Sequence, residues 1–151
     1  MEMSGNHFIA ADRETVWAAL NDPEVLKSSI PGCTELEMQS DTEMTATVVT
    51  KIGPVKATFK GAVVLENINP PESYTIGGEG KGGIAGFAKG GADVQLKETD
   101  GGTELSYQVD AKVGGKLAQL GSRLIDSTAK KLAEQFFENF SENVAGEKTP
   151  S

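Results

Sequence analysis

In the stretch Leu117–Val144, LAQLGSRLIDSTAKKLAEQFFENFSENV, apolar residues recur every three or four positions. This period predicts an amphipathic α-helix, in which residues four apart lie on the same face. Two adjacent columns of that helix are apolar, and the other two are almost entirely polar. The apolar columns contain Leu117, Leu120, Gly121, Leu124, Ile125, Thr128, Ala129, Leu132, Ala133, Phe136, Phe137, Phe140 and Val144. We therefore predict one long helix after Gly114–Gly115, with a single apolar stripe that needs a covering surface.

Upstream of this helix the hydrophobic period changes to two residues, which is typical of strands with one buried face. Alternating apolar and polar residues occupy four segments, which are Met44–Ile52, Ala57–Leu65, Ala92–Leu96 and Leu105–Val113. Tyr74 and Ile76 begin a further strand. Turn signals at Gly53–Pro54, Pro70–Pro71 and Asp100–Gly102 separate these segments. The chain is therefore predicted to form an antiparallel sheet ahead of the helix.

The N-terminal region is predicted to contain the end of a first strand, at His7–Ala10, and then two short helices. Asp12 and Asp22–Pro23 are helix start signals, because aspartate caps the first turn and proline suits the first helical position. The second helix must end before Pro31–Gly32. The resulting order predicts an α+β fold. Its curved antiparallel sheet wraps around the long C-terminal helix, the only element long enough to cover the apolar face.

The chain has 151 residues, the size of one domain. We assign residues 1–145 to that domain and residues 146–151 to a disordered tail. The net charge of −8 argues against nucleic-acid binding through phosphates and against adhesion to anionic lipid by charge alone. Cys33 is the only cysteine, which excludes an internal disulfide. We recognise no signal peptide and no membrane span, which favours a cytoplasmic protein.

Many inward positions of the predicted strands and helix carry small residues, which leaves two interpretations open. Either the space between sheet and helix is an apolar ligand pocket, or sheet curvature brings the backbones together and fills it. The small residues are Ala46, Ala57, Gly61, Ala88, Gly90, Ala92, Ala111, Gly121, Ala129 and Ala133. The predicted pocket lining is Val48, Ala57, Phe59, Gly61, Tyr74, Val94, Leu96, Tyr107, Leu120 and Leu124.

The segment Gly78–Gly83, GEGKGG, matches the G-x-G-x-x-G string of dinucleotide sites. Such a site needs a helix directly after the string, whereas Ala88–Leu96 is predicted as a strand. A phosphate-binding P-loop is also excluded, because no Ser or Thr follows Lys81. The segment is then either a flexible hairpin or a lid over the pocket mouth. We favour the lid, with Ile84 and Phe87 as its apolar contacts.

No catalytic residue and no metal site is predicted. His7 is the only histidine and Cys33 the only cysteine, so zinc sites built from clusters of these residues are excluded. A dyad between the two would lack a third group to orient it. Arg123 flanks the apolar stripe of the long helix, where it either caps a polar end of a ligand or forms a surface ion pair.

Four segments resemble, in their order, the family of the carbon monoxide dehydrogenase G subunit. They are IPGC at Ile30–Cys33, GPVKATFKG at Gly53–Gly61, GIAGFAKG at Gly83–Gly90 followed by ADV, and LGSRLI at Leu120–Ile125. The resemblance covers about residues 1 to 144. The family belongs to the SRPBCC superfamily of START-like lipid-transfer domains, polyketide cyclases and the birch pollen allergen. It implies a helix-grip fold with a hydrophobic tunnel.

The resemblance also implies an accessory role beside a molybdenum-containing oxidoreductase such as carbon monoxide dehydrogenase. Family members recruit that enzyme to the membrane or carry quinone for it, and hold no molybdenum, iron–sulfur or flavin centre. We thus expect a bound quinone or lipid and no covalently held cofactor. Longer members add a membrane helix, whereas this chain ends at Ser151, so we expect transient contact with the inner face of the cell membrane.

Two alternatives to this carrier function remain open. The first is a cyclase- or dehydratase-type enzyme on the same fold, which would need an acid or a base in the pocket. Tyr74, Tyr107 and Arg123 are the candidates for that role. The second alternative is an assembly factor that binds no ligand, in which side chains fill the space between sheet and helix.

Overall fold

The computed structural model describes residues 1–148, and that part of the chain contains seven strands and three α-helices. The strands are β1 (Glu2–Ile9), β2 (Cys33–Met38), β3 (Glu43–Ile52), β4 (Val55–Asn69), β5 (Ser73–Lys81), β6 (Phe87–Thr99) and β7 (Gly102–Gly114). The α-helices are α1 (Arg13–Leu20), α2 (Pro23–Ser29) and α3 (Ser122–Lys148). Two short 3-10 helices cover Gly83–Ala85 and Gly115–Leu120.

The strands form one antiparallel sheet in the order β1-β7-β6-β5-β4-β3-β2. Helix α3 packs against one face of this curved sheet, which we call the inner face. Helices α1 and α2 connect the two edge strands, β1 and β2. The predicted α+β helix-grip arrangement, with two short helices after the first strand, is confirmed.

Local signals in the sequence explain where the short helices begin. The Asp12 carboxylate accepts a hydrogen bond of 2.7 Å from the backbone N–H of Thr15, and the Asp22 carboxylate accepts one of 3.0 Å from that of Glu24. Pro23 follows at the start of α2, where its missing N–H leaves no hydrogen bond unmade. Both predicted helix starts are therefore confirmed.

The most deeply buried side chains lie at one end of the sheet, which we call the closed end. There α1, α2 and the second half of α3 pack against the strands. Val16, Phe140 and Val144 are 0% exposed, and Ile9 and Leu105 are 1% exposed. Burial of side chains of this size contributes about 1.5–3 kcal/mol each, so this end supplies most of the stability of the fold.

Polar contacts fix the helices at the closed end. The Asn139 side chain donates a hydrogen bond of 3.1 Å to the backbone carbonyl of Ser29, and Asn143 donates one of 2.9 Å to the Ser29 hydroxyl. The buried Thr103 hydroxyl donates to the carbonyl of Ala11 at 2.7 Å. These bonds satisfy buried polar groups and hold α3 and β7 in register with the N-terminal segment.

The structure corrects the predicted start of the long helix. A 3-10 helix occupies Gly115–Leu120, and α3 begins only at Ser122. Gly121 has a φ of +92°, a left-handed conformation that an α-helix cannot contain, so Leu117 and Leu120 lie outside α3. At its other end α3 extends to Lys148, so it includes three residues of the predicted tail. The remaining tail residues, 149–151, lie outside the described part of the chain.

Candidate functional site

A cavity of ≈310 Å³ lies between the inner face of the sheet and α3. Its lining is aliphatic and aromatic, and two tyrosines contribute the only side-chain polar atoms apart from the methionine sulfurs. The lining residues are Met3, Leu20, Leu26, Ile30, Met44, Val63, Leu65, Tyr74, Ile76, Ala92, Val94, Leu105, Tyr107, Val109, Ala133, Phe136 and Phe137. The cavity is therefore suited to an apolar molecule.

Strand register explains how residues distant in sequence meet in this cavity. Leu65 lies opposite Ile76, Ile76 opposite Ala92, and Ala92 opposite Val109, which forms one row across four strands. The next row consists of Tyr74, Val94 and Tyr107. Because side chains alternate between faces along a strand, both rows point to the inner face.

The two tyrosines occupy different surroundings. Tyr74 is buried and packs edge-on against Trp17, with ring centroids 5.2 Å apart. Tyr107 stacks on Phe137 of α3, also at 5.2 Å. Neither hydroxyl has a hydrogen-bond partner among the described residues. Burial raises the pKa of Tyr74 well above its ordinary value, so its hydroxyl stays protonated and able to donate a hydrogen bond.

Some small residues at inward positions adjoin open space, whereas others allow two backbones to approach closely. A Cβ built at Gly80 has no atom within 4 Å, and one built at Gly61 has its nearest contact at 3.8 Å. A Cβ at Gly90 would instead clash with the Asp110 carbonyl and lie 2.6 Å from the Cα of Ala111. Open space therefore adjoins Gly61 and Gly80, whereas close approach of the backbones accounts for Gly90.

The structure places three of the residues predicted to bind a ligand on the cavity, namely Tyr74, Val94 and Tyr107. Leu96 is buried in the core beside it. The others lie outside the lining, namely Val48, Ala57, Phe59, Gly61, Leu120 and Leu124, which are partly buried, and Arg123, which is exposed. Arg123 has no carboxylate partner among the described residues, so the structure contains no ion pair there. Which of these residues contact a ligand stays a prediction.

The sequence did not indicate several of the lining residues. Leu20, Leu26 and Ile30 come from the two short helices and the residue after them, and Met3 comes from β1. The sequence predicts Ala133 as a small residue that faces the space between sheet and helix. It places Phe136 and Phe137 on the apolar stripe of the long helix, but does not indicate that they lie over the cavity. Residues on that stripe look equivalent in the sequence, and only the crossing point of α3 distinguishes them.

The glycine-rich segment forms a tight hairpin connection. Strand β5 continues to Lys81, the 3-10 helix Gly83–Ala85 follows, and β6 begins at Phe87. No α-helix starts here, so the geometry of a dinucleotide site is missing. Ile84 is 87% exposed and Phe87 is 43% exposed, and neither lines the cavity. In this conformation the two side chains therefore do not cover the pocket as a lid.

His7 and Cys33 lie on opposite edge strands and have different neighbours. The Nε2 atom of His7 is 3.3 Å from the Ser141 hydroxyl, and its ring stacks on Phe137. The Cys33 thiol donates to the backbone carbonyl of Glu35 at 3.3 Å, and burial raises its pKa. The two residues therefore do not form a dyad. No group of three or more metal-binding side chains is found within residues 1–148.

Comparison with known protein families identifies the family of this chain. The family model for the G subunit of carbon monoxide dehydrogenase, CoxG, matches residues 5–145. The chain belongs to the CoxG family. The resemblance of the four sequence segments is thereby confirmed over nearly the same range. No curated protein is similar enough to this chain to count as a match.

Solved structures give the same fold for this CoxG family member. A conserved protein from Geobacillus kaustophilus is 31% identical with a TM-score of 0.91, and the match covers 97% of this chain and 96% of that one. A protein from Thermus thermophilus has 15% identity and a TM-score of 0.74, over 99% and 100% of the two chains. A Rhizobium leguminosarum protein has 16% identity and a TM-score of 0.74, over 96% and 94%. The last two show the START-like fold alone.

The helices of this CoxG family member differ from those that cross a bilayer. A membrane-spanning helix needs roughly 20 predominantly apolar residues. Within residues 1–148, none of the helices combines the necessary length with sufficient apolar character. The longest, α3, has charged residues on its solvent side, such as Lys130, Lys131 and Glu138.

Proposed function

We propose that this protein is a non-catalytic accessory subunit that carries a small hydrophobic molecule, quinone-like or lipid-like. The supporting observation is the cavity of ≈310 Å³, whose lining is apolar except for the two tyrosines. Pockets for small ligands have this character, with volumes of roughly 300–1,000 Å³. The ligand would lie between the inner face of the sheet and α3.

The cavity volume limits which part of a ligand it can enclose. At ≈310 Å³ it accommodates a ring system or a short length of alkyl chain rather than a whole isoprenoid quinone or phospholipid. Gly61 and Gly80 lie opposite each other on the inner face, nearer the other end of the sheet, and both have open space beside them. We place the ring or chain end of the ligand in the cavity and the remainder of the ligand over these two glycines.

The tyrosines favour a ligand with hydrogen-bond acceptors. Tyr74 remains protonated because burial raises its pKa, and its hydroxyl has no partner among the described residues. A hydroxyl that borders an apolar cavity without a partner is available to donate, and a ligand oxygen in the cavity would accept this hydrogen bond. The carbonyl oxygens of a quinone or the ester oxygens of a lipid are suitable acceptors. Tyr107 offers a second hydroxyl on the same wall.

The proposed partner is a molybdenum-containing oxidoreductase that resembles carbon monoxide dehydrogenase. Membership of the CoxG family supports an accessory role beside such an enzyme. In this role the protein helps to recruit the enzyme to the membrane, or delivers to it the quinone that accepts the electrons of the enzyme. It holds no covalent cofactor of its own and acts at the inner face of the cell membrane.

The enzyme alternative has less support from the geometry. Tyr74 and Tyr107 lie together on the cavity, but Arg123 is exposed and outside its lining. A tyrosine with a raised pKa is a poor general base at neutral pH, because almost none of it is ionised. The assembly-factor alternative requires a filled space between sheet and helix, which an apolar cavity does not favour.

Native mass spectrometry with organic extraction tests the carrier proposal. We expect a quinone or lipid to copurify with the protein, or added quinone to bind it. The Ala92→Phe variant places a ring in the cavity and should abolish this binding. Ala62→Phe, on the exposed outer face of β4 in the same sheet, is the matched control and should bind normally.

Thermal denaturation of both variants shows whether they remain folded. An apo mass without uptake of quinone or lipid would contradict the carrier proposal and favour the assembly factor. Normal binding by a folded Ala92→Phe protein would show that the ligand site lies elsewhere. Loss of binding in the Ala62→Phe control as well would remove the link between binding and the cavity.

A further inference from the structure

Charge is distributed very unevenly over this acidic protein. Residues 51–60, 79–91 and 111–131 contain ten of the 14 cationic residues and two of the 22 acidic ones, which gives a net charge of +8. The remainder of the chain therefore has a net charge of −16, since the total is −8. The ten cations are Lys51, Lys56, Lys60, Lys81, Lys89, Lys112, Lys116, Arg123, Lys130 and Lys131, and all are exposed.

The fold brings these three segments together at the end of the sheet opposite the closed end, which we call the basic end. Lys60 lies opposite Lys81, Lys81 opposite Phe87, and Phe87 opposite Gly114. A Cβ built at Gly53, in the turn after β3, would lie 2.8 Å from the Leu124 side chain, so α3 begins beside that turn. The basic end therefore lies where the start of α3 meets the turn between β3 and β4, outside the lining of the cavity.

Folding alone does not account for this arrangement of lysines. Three pairs face each other directly across neighbouring strands, namely Lys51 with Lys56, Lys60 with Lys81, and Lys89 with Lys112. Like charges in directly opposite positions destabilise a sheet. Among the described residues, only Lys81 of the ten cations has a carboxylate within reach, that of Glu79 at 4.0 Å. Within the described residues, the ten cations thus form almost no ion pairs.

An apolar side chain projects from the hairpin between Lys81 and Lys89. Ile84 is 87% exposed at the tip of the β5–β6 hairpin, and Phe87 beside it is 43% exposed. The tip is firmly held, because the Gly82 N–H donates to the Gly86 carbonyl at 2.8 Å. Gly86 also packs so closely on Gly114 that any side chain there would clash with its carbonyl. The fold therefore presents Ile84 to solvent in a fixed position.

We propose that the basic end docks on an anionic lipid bilayer, with Ile84 inserted at the interface and the surrounding lysines on lipid phosphates. Basic residues around an exposed apolar anchor are the combination that peripheral membrane binding requires. Part of this charge has acidic neighbours, since Glu35 and Glu37 line a pocket on the outer face of the sheet together with Lys60 and Lys81. Many of the other acidic residues lie at the far end of the strands. β4 alone spans roughly 50 Å, several times the Debye length of about 10 Å at 0.1 M salt. The proposal deepens the carrier function and rests on it, because a carrier of a hydrophobic molecule must reach the bilayer that holds this molecule.

Vesicle sedimentation tests the docking surface with two lipid compositions, phosphatidylcholine alone and phosphatidylcholine mixed with phosphatidylglycerol. We expect binding to the anionic vesicles only. Binding should weaken when salt rises from about 0.1 M to about 1 M, which shortens the Debye length to about 3 Å. The double variant Lys81→Gln/Lys89→Gln should bind at least ~10-fold more weakly, because each lysine near the surface contributes about fivefold.

Two matched controls distinguish this surface from overall charge and hydrophobicity. Lys27→Gln/Lys97→Gln removes the same charge from exposed positions in the acidic remainder and should leave binding within about twofold of the original. Ile84→Ser should weaken binding about tenfold, because it removes the apolar anchor. Ile68→Ser, at a position 42% exposed outside the basic end, should leave binding unchanged.

Several results would overturn the membrane proposal. Equal binding to both vesicle types, or unchanged binding of the Lys81/Lys89 variant, would show that lysine–phosphate contacts are not responsible. Failure to bind either vesicle, combined with loss of oxidoreductase copurification in that variant, would identify the basic end as a protein interface. Sedimentation needs no bound ligand, so a negative result here is separate from a negative result in the native mass experiment.

Discussion

At the closed end of the sheet, Phe140 and Val144 of α3 are completely buried, whereas Leu124 and Ile125 of the same helix are only partly buried at the basic end. Both ends are built from the same long alternating strands. At the closed end, α1 and α2 add side chains that complete the core. At the basic end no further α-helix of the described chain covers the strands, and many inner-face positions of the sheet are glycine or alanine.

This difference shows how one fold separates stability from binding. A fully packed region leaves no room for a ligand, and a region with room contributes less to folding. The cavity lies between the two, with Phe136 and Phe137 of α3 in its lining and the row of Gly61 and Gly80 outside it, towards the basic end. Substitutions at the two ends should therefore have different consequences.

The largest expected effect is at Phe140. Replacement with alanine should lower the free energy of unfolding by about 3–5 kcal/mol, because a completely buried aromatic ring leaves a cavity in the packed core. Leu124→Ala, on the same helix at the basic end, should lower it by about 1 kcal/mol or less, because Leu124 is already partly exposed. Urea denaturation of the two variants measures both values. Equal losses would show that the two ends contribute equally to folding.

A smaller effect is expected at two glycines in adjacent strands. Gly90→Ala should lower the free energy of unfolding by about 1–3 kcal/mol, because its Cβ would clash with the backbone of β7. Gly80→Ala faces open space and should be neutral or stabilise by about 0.4–1 kcal/mol, because alanine restricts the unfolded chain. Thermal denaturation compares the pair. A destabilised Gly80→Ala protein would mean that the open space beside β5 is filled in solution.

The sequence allowed prediction of the faces of the strands but not of the position of the cavity along them. Alternation correctly assigned Tyr74, Val94 and Tyr107 to the inner face, because the period of two is set by backbone geometry. It did not indicate where α3 crosses the sheet, since the apolar stripe of α3 is continuous in the sequence. The predicted lining was consequently extended to Val48 and Ala57, which lie nearer the basic end than the cavity does.

Strand β2 and the start of α3 were not predicted from the sequence, each for a different physical reason. Strand β2 is an edge strand with mostly exposed side chains, so Cys33–Met38 lacks the alternation that burial on one face produces. The late start of α3 depends on the left-handed conformation of Gly121, and a glycine within an apolar stripe is also compatible with a continuous helix. The grouping of cationic residues at the basic end could not be predicted either, since it depends on which ends of the strands lie together in the fold.

The smallest effect on stability at neutral pH is expected for Tyr74→Phe, which should separate binding from folding. The free energy of unfolding should change by less than about 1 kcal/mol, because the hydroxyl has no partner to lose among the described residues. Affinity for a quinone or lipid should fall about 3–10-fold, the equivalent of one neutral hydrogen bond. Ala62→Phe serves again as the control that leaves the cavity unchanged. Unaltered affinity would show that Tyr74 does not contact the ligand.

Alkaline pH provides an independent check on the environment of Tyr74. Burial raises the pKa of Tyr74 in the folded protein, whereas an unfolded tyrosine loses its proton near pH ~10. Above that pH the unfolded state binds fewer protons than the folded state, so stability falls as pH rises. Between about pH 9 and about pH 11 the original protein should lose more stability than Tyr74→Phe, which lacks this ionisation. Parallel losses in urea denaturation would mean that the Tyr74 hydroxyl is hydrated, which would remove the proposed hydrogen-bond donor from the apolar site.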